Sequence, residues 1–478
     1  MEKLNTEYRI GYYFNEISKI PHGSFNEEAI SDYLINFASM HKLEYFTDDL
    51  HNVIIYKPAT KGYENHDTLM LQGHMDMVCE KNKDSDHDFD LDPLNIYVED
   101  GMLKADKTTL GADDGVALCY MLAILEDDTL KHPALECVFT VQEEVGLIGA
   151  MNLKAEQLHA KRMIGLDSED ETGVTTSSSG GRRVIIKKPI TKTTSSKYSY
   201  QLMVKGLLGG HSGEVISHER GNANKIMARL FFYLSKDNID YQLASFEGGL
   251  KENAIARECV TTFTSNKDLD TIYNSINQQV LYLQEELAYS DKNIEVELSA
   301  IDEINEAVDE TTSKDIITMM YLMPNGFLHK SMMMEDLTTV SLNMGVVQMK
   351  EDSFNVYYSL RSPMFSYREE MSNQLEIISN TYGATYRISN DYNGWNYDAN
   401  STLRKQLIDF VKSSEGIVLK EFATHGGLET GIFKGIIPDL DIVTMGPNMH
   451  DIHTPDERLE IDSFLKCYQR LVNFIETL

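Results

Sequence analysis

The sequence predicts an α/β protein whose largely parallel sheet is interrupted by an inserted α+β domain. Three observations carry that expectation. Apolar, β-branched runs alternate with helical patterns from the N-terminus to "RMIGLDSED", the signature of strands covered by crossover helices. Near "GVTTSSSGGRRVIIKKPITKTTSSKYSYQLMVKG" the composition turns to Ser, Thr and Gly, and alternating strands follow. After "YNGWNYD" the first pattern returns. A chain of 478 residues also exceeds what one core usually supports. The expected division is therefore 1–188 and 393–478 for a discontinuous outer domain and 189–392 for the insertion.

Taken in order, helical periodicity falls around residues 5–20 and 26–41. Strand-like runs follow at "NVIIYK" (52–57) and "DTLMLQG" (67–73), then a helical pattern, "VALCYMLAILEDD", after "GADDG". "ALECVFTVQ", followed directly by two glutamates, and "RMIGLDSED", ending in acids, supply two more strands. The insertion is expected to run strand, helix (about 221–235), strands, helix (270–288), strand, helix, two strands and helix (367–381). A helix at 401–414, the strands "GIVLKEF" and "LDIVTMG", and a helix at 462–476 close the outer domain. No solenoid-type repeat is present.

Composition removes several classes of function. Acidic residues (75) outnumber Lys plus Arg (43), and a formal charge of −32 repels phosphate backbones and anionic bilayers, so nucleic-acid and membrane partners are not expected. The N-terminus lacks a basic stretch followed by an apolar one, and no run is long enough to span a bilayer. Five scattered cysteines without a C-x-x-C suit a reduced cytoplasm rather than a disulfide framework.

In such sheets ligands gather beyond the carboxyl ends of the strands. Polar residues cluster at those ends here. "LQGHMDMV" puts His74 and Asp76 two apart, on one side of an extended chain, where an acid can orient a metal-binding imidazole. Alone, H-x-D is common. "TTLGADDGVAL" places Asp113 and Asp114 at a helix start; one acid suffices as a cap, and a second suits a metal site better. "VQEEVGLIGA" ends an apolar strand with Glu143 and Glu144, adjacent carboxylates that are costly to desolvate unless one ligates a metal and the other acts as a general base. Asp167 ends another strand, and "GPNMHDIHTPDERL" carries His450 and His453 in a loop. The mixed N/O set His74, Asp113, Glu144, Asp167 and His453 suits Zn²⁺, Mn²⁺ or Co²⁺. "DSDHDFDLDPL" fails as an EF-hand because Phe89 stands where Gly is required, and "GLLGGHSGE" fits neither a P-loop nor a dinucleotide fingerprint.

The ordered motifs "GHMD", "GADDG", "EEVGLIGA", "LDSED", "GGHSG" and "DIHTPDE" resemble the M20 dinuclear zinc peptidases over essentially the whole chain. "GGHSGEVI", "ENAIARE", "HGGLETGIF" and "GPNMHDIHTPDE" are especially similar to the aminoacyl-histidine (Xaa-His) dipeptidase branch. The resemblance implies a zinc-peptidase-like catalytic domain with a mostly parallel mixed sheet, and an inserted lid that also serves dimerisation. It implies that Asp113 bridges two divalent ions, with His74 and Asp167 completing one site and Glu144 and His453 the other. Glu143 would be the general base towards the attacking water, Asp76 the partner of His74, and the Asp113–Asp114 peptide would be cis. His211 matches a lid histidine that stabilises the oxyanion, often across a homodimer. Arg361 and Asn253 match positions suited to holding a substrate carboxylate. The implied activity is hydrolysis of unblocked dipeptides, β-alanyl-histidine included. The competing expectations are an M20 amidohydrolase removing N-acyl groups and a catalytically silent relative acting as a scaffold. "HTPDE" departs from the commoner "HSPDE" without touching the ligand set.

Overall fold

Hydrogen bonding between Leu69–His74, Leu135–Thr140 and Arg162–Gly165 builds the centre of a six-stranded sheet, in a computed structural model describing residues 3–334 and 337–478. These three strands are mutually parallel, and Asp441–Thr444 extends the parallel run from Arg162–Gly165. On the other side Val53–Lys57 and Glu44–Thr47 add antiparallel pairings. The sheet is thus mixed and mostly parallel. Its central strands are buried along their whole length, which is why they are near-continuous apolar runs.

The helix Ala112–Glu126 is apolar all round and buried, as a helix sealed between layers must be. It packs on Leu69–His74 and on the helix Arg9–Ile17. Gly73 permits the first contact, because a Cβ there would strike Ala117 and Asp114. Behind it, Phe464 of the C-terminal helix Ile461–Ile475 stacks on Tyr120 at 5.3 Å and meets Phe14 edge-on at 6.1 Å. These aromatics belong to the core that fixes the strand ends.

The chain divides into two compact units, Met1–Ser177 with Trp395–Ala423 and Leu428–Leu478, and Ser178–Gly394 with Thr424–Gly427. The first break falls earlier than the expected 188/189 boundary because Gly180–Pro189 pairs along its length with Ser353–Ser362 and Thr385–Tyr392 of the second unit. The second unit holds a nine-stranded sheet whose pairings are antiparallel, with the helices Ala223–Lys236, Leu269–Glu286, Glu310–Leu322 and Phe365–Thr381. Among the described residues no helix is long and apolar enough to cross a membrane.

Candidate metal centre and its carboxylates

His74 is the last residue of its strand and only 1% exposed. Its Nε2 lies 3.0 Å from Asp113 Oδ1, and its Nδ1 faces the backbone carbonyl of Asp76 at 2.9 Å. The Asp76 carboxylate is further off, 3.5 Å from the same nitrogen. That carboxylate instead accepts the backbone N–H groups of Glu143 (3.0 Å) and Glu144 (3.3 Å) and the hydroxyl of Ser24 (2.8 Å). Asp76 therefore ties two strand-end loops together as well as facing His74. Burial pushes its pKa up, but His74 and these donors outweigh that and hold it below the usual value.

The second oxygen of Asp113 meets His453 Nε2 at 3.0 Å, and the same nitrogen is 2.9 Å from Glu144 Oε1. Each oxygen of one carboxylate thus faces a different imidazole. The Asp113–Asp114 peptide is cis, and both residues depart from helical geometry at the start of Ala112–Glu126. Asp114 Oδ1 accepts the N–H of Ala117 at 3.3 Å, but Asp113 caps no N–H group among the described residues. The earlier N–H groups are taken by Glu457, whose buried carboxylate accepts those of Leu110, Gly111, Ala112 and Asp113 at 2.7, 3.1, 2.8 and 3.4 Å. This frees Asp113 to face the histidines.

A small sheet delivers both His453 and Glu457. Met449–His450 and Arg458–Glu460 form a hairpin, and Arg458–Glu460 pairs with Met102–Ala105, just upstream of the Asp113 loop. His450 is turned away and bonds Glu460 at 2.9 Å. His453 itself has a left-handed backbone, φ 62°.

Donor atoms of His74, Asp113 and Glu144 lie within 4.8 Å of one another, as do those of His74, Asp114 and Asp167. Asp114 thus stands with His74 and Asp167, a placement the sequence reading did not assign to it. The four carboxylates of Asp113, Asp114, Glu144 and Asp167 around two imidazoles repel one another unless cations intervene, and the N/O donors fit Zn²⁺, Mn²⁺ or Co²⁺. The electrostatics agree. Burial pushes Asp167 up to about 8, helped by Asp113, while His74 opposes. Burial also raises Asp113, but His453 and His74 outweigh it and keep that carboxyl ionised; in turn Asp113, then Glu144, push His453 up to about 11. Glu143 makes none of these imidazole contacts, and burial foremost raises its pKa well above the usual value.

A model of Peptidase family M20/M25/M40 matches residues 70–477. The chain belongs to that family. A cytosol non-specific dipeptidase of Escherichia coli (strain K12) is 33% identical over 453 residues, covering 94% of this chain and 93% of the relative. Among solved structures, an aminoacylhistidine dipeptidase from Vibrio alginolyticus superposes with a TM-score of 0.91 at 33% identity, over 98% of this chain and 96% of that one. An aminopeptidase from Bacillus cereus shares the fold at 18% identity and a TM-score of 0.56, over 99% of each chain.

The remaining candidates of this M20 chain lie in the second unit. His211 pairs across a two-residue ladder with Ala254, and Ser212 N–H donates to the Asn253 carbonyl at 2.8 Å, so His211 and Asn253 are neighbours. Arg361 is 8% exposed, and its Nε has no hydrogen-bond partner among the described residues. Burial, then Arg361, lowers the pKa of His211, which keeps its imidazole neutral. His425 of "HGGLETGIF" is neutral for the same reasons, held between the hydroxyls of Ser179 (2.9 Å) and Ser341 (2.7 Å).

Sequence reasoning missed Glu457, although its position closing "HTPDE", four residues after His453, was a usable signal. It also missed Ser24 and Glu27, whose side chains brace Asp76 and the N–H of Gln142 from "PHGSFNEE". Glu429 was overlooked as well. It is buried against Gln72 and Thr140, both at 2.6 Å, and burial pushes it up to about 7.

Proposed function

We propose that this M20 chain is a cytoplasmic, homodimeric metal-dependent dipeptidase acting on unblocked dipeptides, Xaa-His and β-alanyl-histidine among them. The observation that carries the reading is Asp113, one carboxylate whose two oxygens meet two different imidazoles, with an unligated Glu143 in the adjoining loop. His74, Asp113 and Asp167 would hold one divalent ion, and Asp113, Glu144 and His453 a second, Zn²⁺ being the first choice and Mn²⁺ or Co²⁺ the alternatives. Asp114 is close enough to adjust the first set. The ions, when bound, supply Lewis acidity towards the scissile carbonyl and acidify water towards a pKa of ~7.

The chain's own residues do the proton work. Glu143 accepts the proton that the attacking water loses and delivers it to the leaving amine, and a raised pKa suits a group that must both take and give. Asp76 keeps His74 oriented and the Glu143–Glu144 backbone fixed. In the second unit the neutral His211 imidazole can donate to an oxyanion, and the Arg361 guanidinium, whose Nε has no hydrogen-bond partner among the described residues, can take a peptide carboxylate, with Asn253 as a further candidate for it. The Escherichia coli and Vibrio alginolyticus relatives, both named as dipeptidases, support the substrate class. Free thiols at all five cysteines suit the cytoplasm.

Hydrolysis of glycyl-histidine, β-alanyl-histidine and their N-acetyl forms tests the reading, with released histidine as the signal. Cleavage of the free-amine peptides is expected. Cleavage of the N-acetyl forms alone would replace the dipeptidase with an N-acyl amidohydrolase, and no cleavage of either would leave a silent relative.

A further inference from the structure

Phe25 combines two unfavourable features that folding does not explain. It occupies the third position of the turn Gly23–Asn26, closed by Asn26 N–H to the Gly23 carbonyl at 2.8 Å. There its φ is 72°, in the left-handed region where such turns ordinarily place Gly or Asn. Its ring is 70% exposed. A bulky side chain gains nothing from a strained backbone and a wet ring, and outliers of this kind cluster at functional sites.

The turn's position is set by the catalytic loops. Immediately before Phe25, Ser24 donates to Asp76, the residue that faces His74 and receives the Glu143 and Glu144 N–H groups. Two residues after it, the buried Glu27 accepts the N–H of Gln142, the neighbour of Glu143. Met77 N–H donates to the His22 carbonyl at 3.1 Å, fixing the other flank. Adjacent to a residue bonded to Asp76 at 2.8 Å, Phe25 cannot lie far from that carboxylate, and its side chain is exposed there. Both anchors lead to the loop that carries the proton acceptor.

We infer that Phe25 is a specificity-determining residue, its ring forming an apolar wall for the side chain of the residue that bears the scissile carbonyl. The inference rests on the dipeptidase reading. It assigns the chain a preference for dipeptides with an apolar first residue over glycyl peptides.

The test compares leucyl-histidine with glycyl-histidine in the full-length metal-loaded protein, Phe25→Ala and Phe25→Gly. The kcat/KM ratio of the two peptides is expected to fall about tenfold in both variants, through KM, since the ring's apolar contact is lost. Zn²⁺ affinity measured by calorimetry should stay within twofold, and Phe25→Gly should melt no lower than the native chain because glycine suits the backbone. An unchanged ratio overturns the inference, as does a lower Tm in both variants with parallel loss on both peptides, which would make the ring a packing element. If the native protein cleaves neither peptide, the dipeptidase reading fails first and the inference with it.

Discussion

At the scale of single residues the account depends on a division of labour between adjacent acids. Glu144 meets His453 at 2.9 Å, while Glu143 has no imidazole partner and a raised pKa. Replacing Glu143 with Gln preserves shape and the backbone hydrogen bonds to Asp76, and removes only the capacity to move a proton. A fall in kcat of about 10²–10⁴ is expected, with KM and metal content little changed. Steady-state kinetics together with metal analysis of the purified variant would check this; comparable loss of metal would instead make Glu143 a ligand. The adjacent acids were visible in the sequence because a buried strand ending in two carboxylates needs a reason. Their partition, Glu144 to a metal and Glu143 to the water, followed from the family resemblance and not from the residue pattern itself, since it depends on which side chain the His453 loop reaches.

At the scale of elements, the helix Ala112–Glu126 has one local cap, Asp114 on the Ala117 N–H, and its first N–H groups are served by Glu457 from a loop far away in sequence. Glu457→Ala strands those amides in a buried site. A cost of about 2–4 kcal/mol follows from hydrogen bonds to a charged acceptor, and displacement of Asp113 should weaken metal binding by about 10–100-fold. Thermal melting of the chelated variant and metal titration measure the two effects separately; a native Tm would contradict the capping role. Long elements were readable because their patterns are strong. The helix expected after "GADDG" and the strands at 52–57 and 67–73 are observed as Ala112–Glu126, Val53–Lys57 and Leu69–His74. The helix Glu429–Ile436 and the hairpin Ile96–Ala105 escaped notice because short elements carry little periodicity and owe their form to tertiary pairing. Asp113 looked like a possible helix cap for a similar reason, since the competing acceptor, Glu457, lies far along the chain.

At the scale of the whole molecule, the site stores protons that the unfolded chain would release. Burial pushes Asp167 up to about 8 and Glu429 and Glu457 up to about 7, so between pH ~4 and these values the folded chain holds the extra protons. His453, raised to about 11 by Asp113, adds a contribution fully present below its ordinary pKa of ~6.5 and lost progressively as pH rises from there towards about 11. Asp113, held low, contributes a constant amount across that window. The carboxyls and His453 share one sign, whereas His22, His132, His211 and His425, held neutral by burial, oppose them up to about pH 6.5 and add nothing further above it; the net charge of −32 adds self-repulsion as carboxyls ionise. The Tm of chelated protein is therefore expected to fall from about pH 6.5 to pH 8, whereas added ions, which bind the deprotonated ligands, should oppose the fall. A Tm that rises over this range without metal would count against the buried carboxyl set. The alternation that gave the α/β class, and the composition shift that flagged the insertion, were legible because they extend over long stretches. The unit boundary was less so, since Gly180–Pro189 takes its allegiance from strands more than a hundred residues away. The central claim is that one carboxylate, Asp113, serves two ions. Calorimetric titration of chelated protein with Zn²⁺ tests it most directly: two ions per chain are expected for the native protein, with both sites weakened together in Asp113→Ala. A single ion per chain, or an Asp113→Ala variant that still binds two with native affinity, would contradict it.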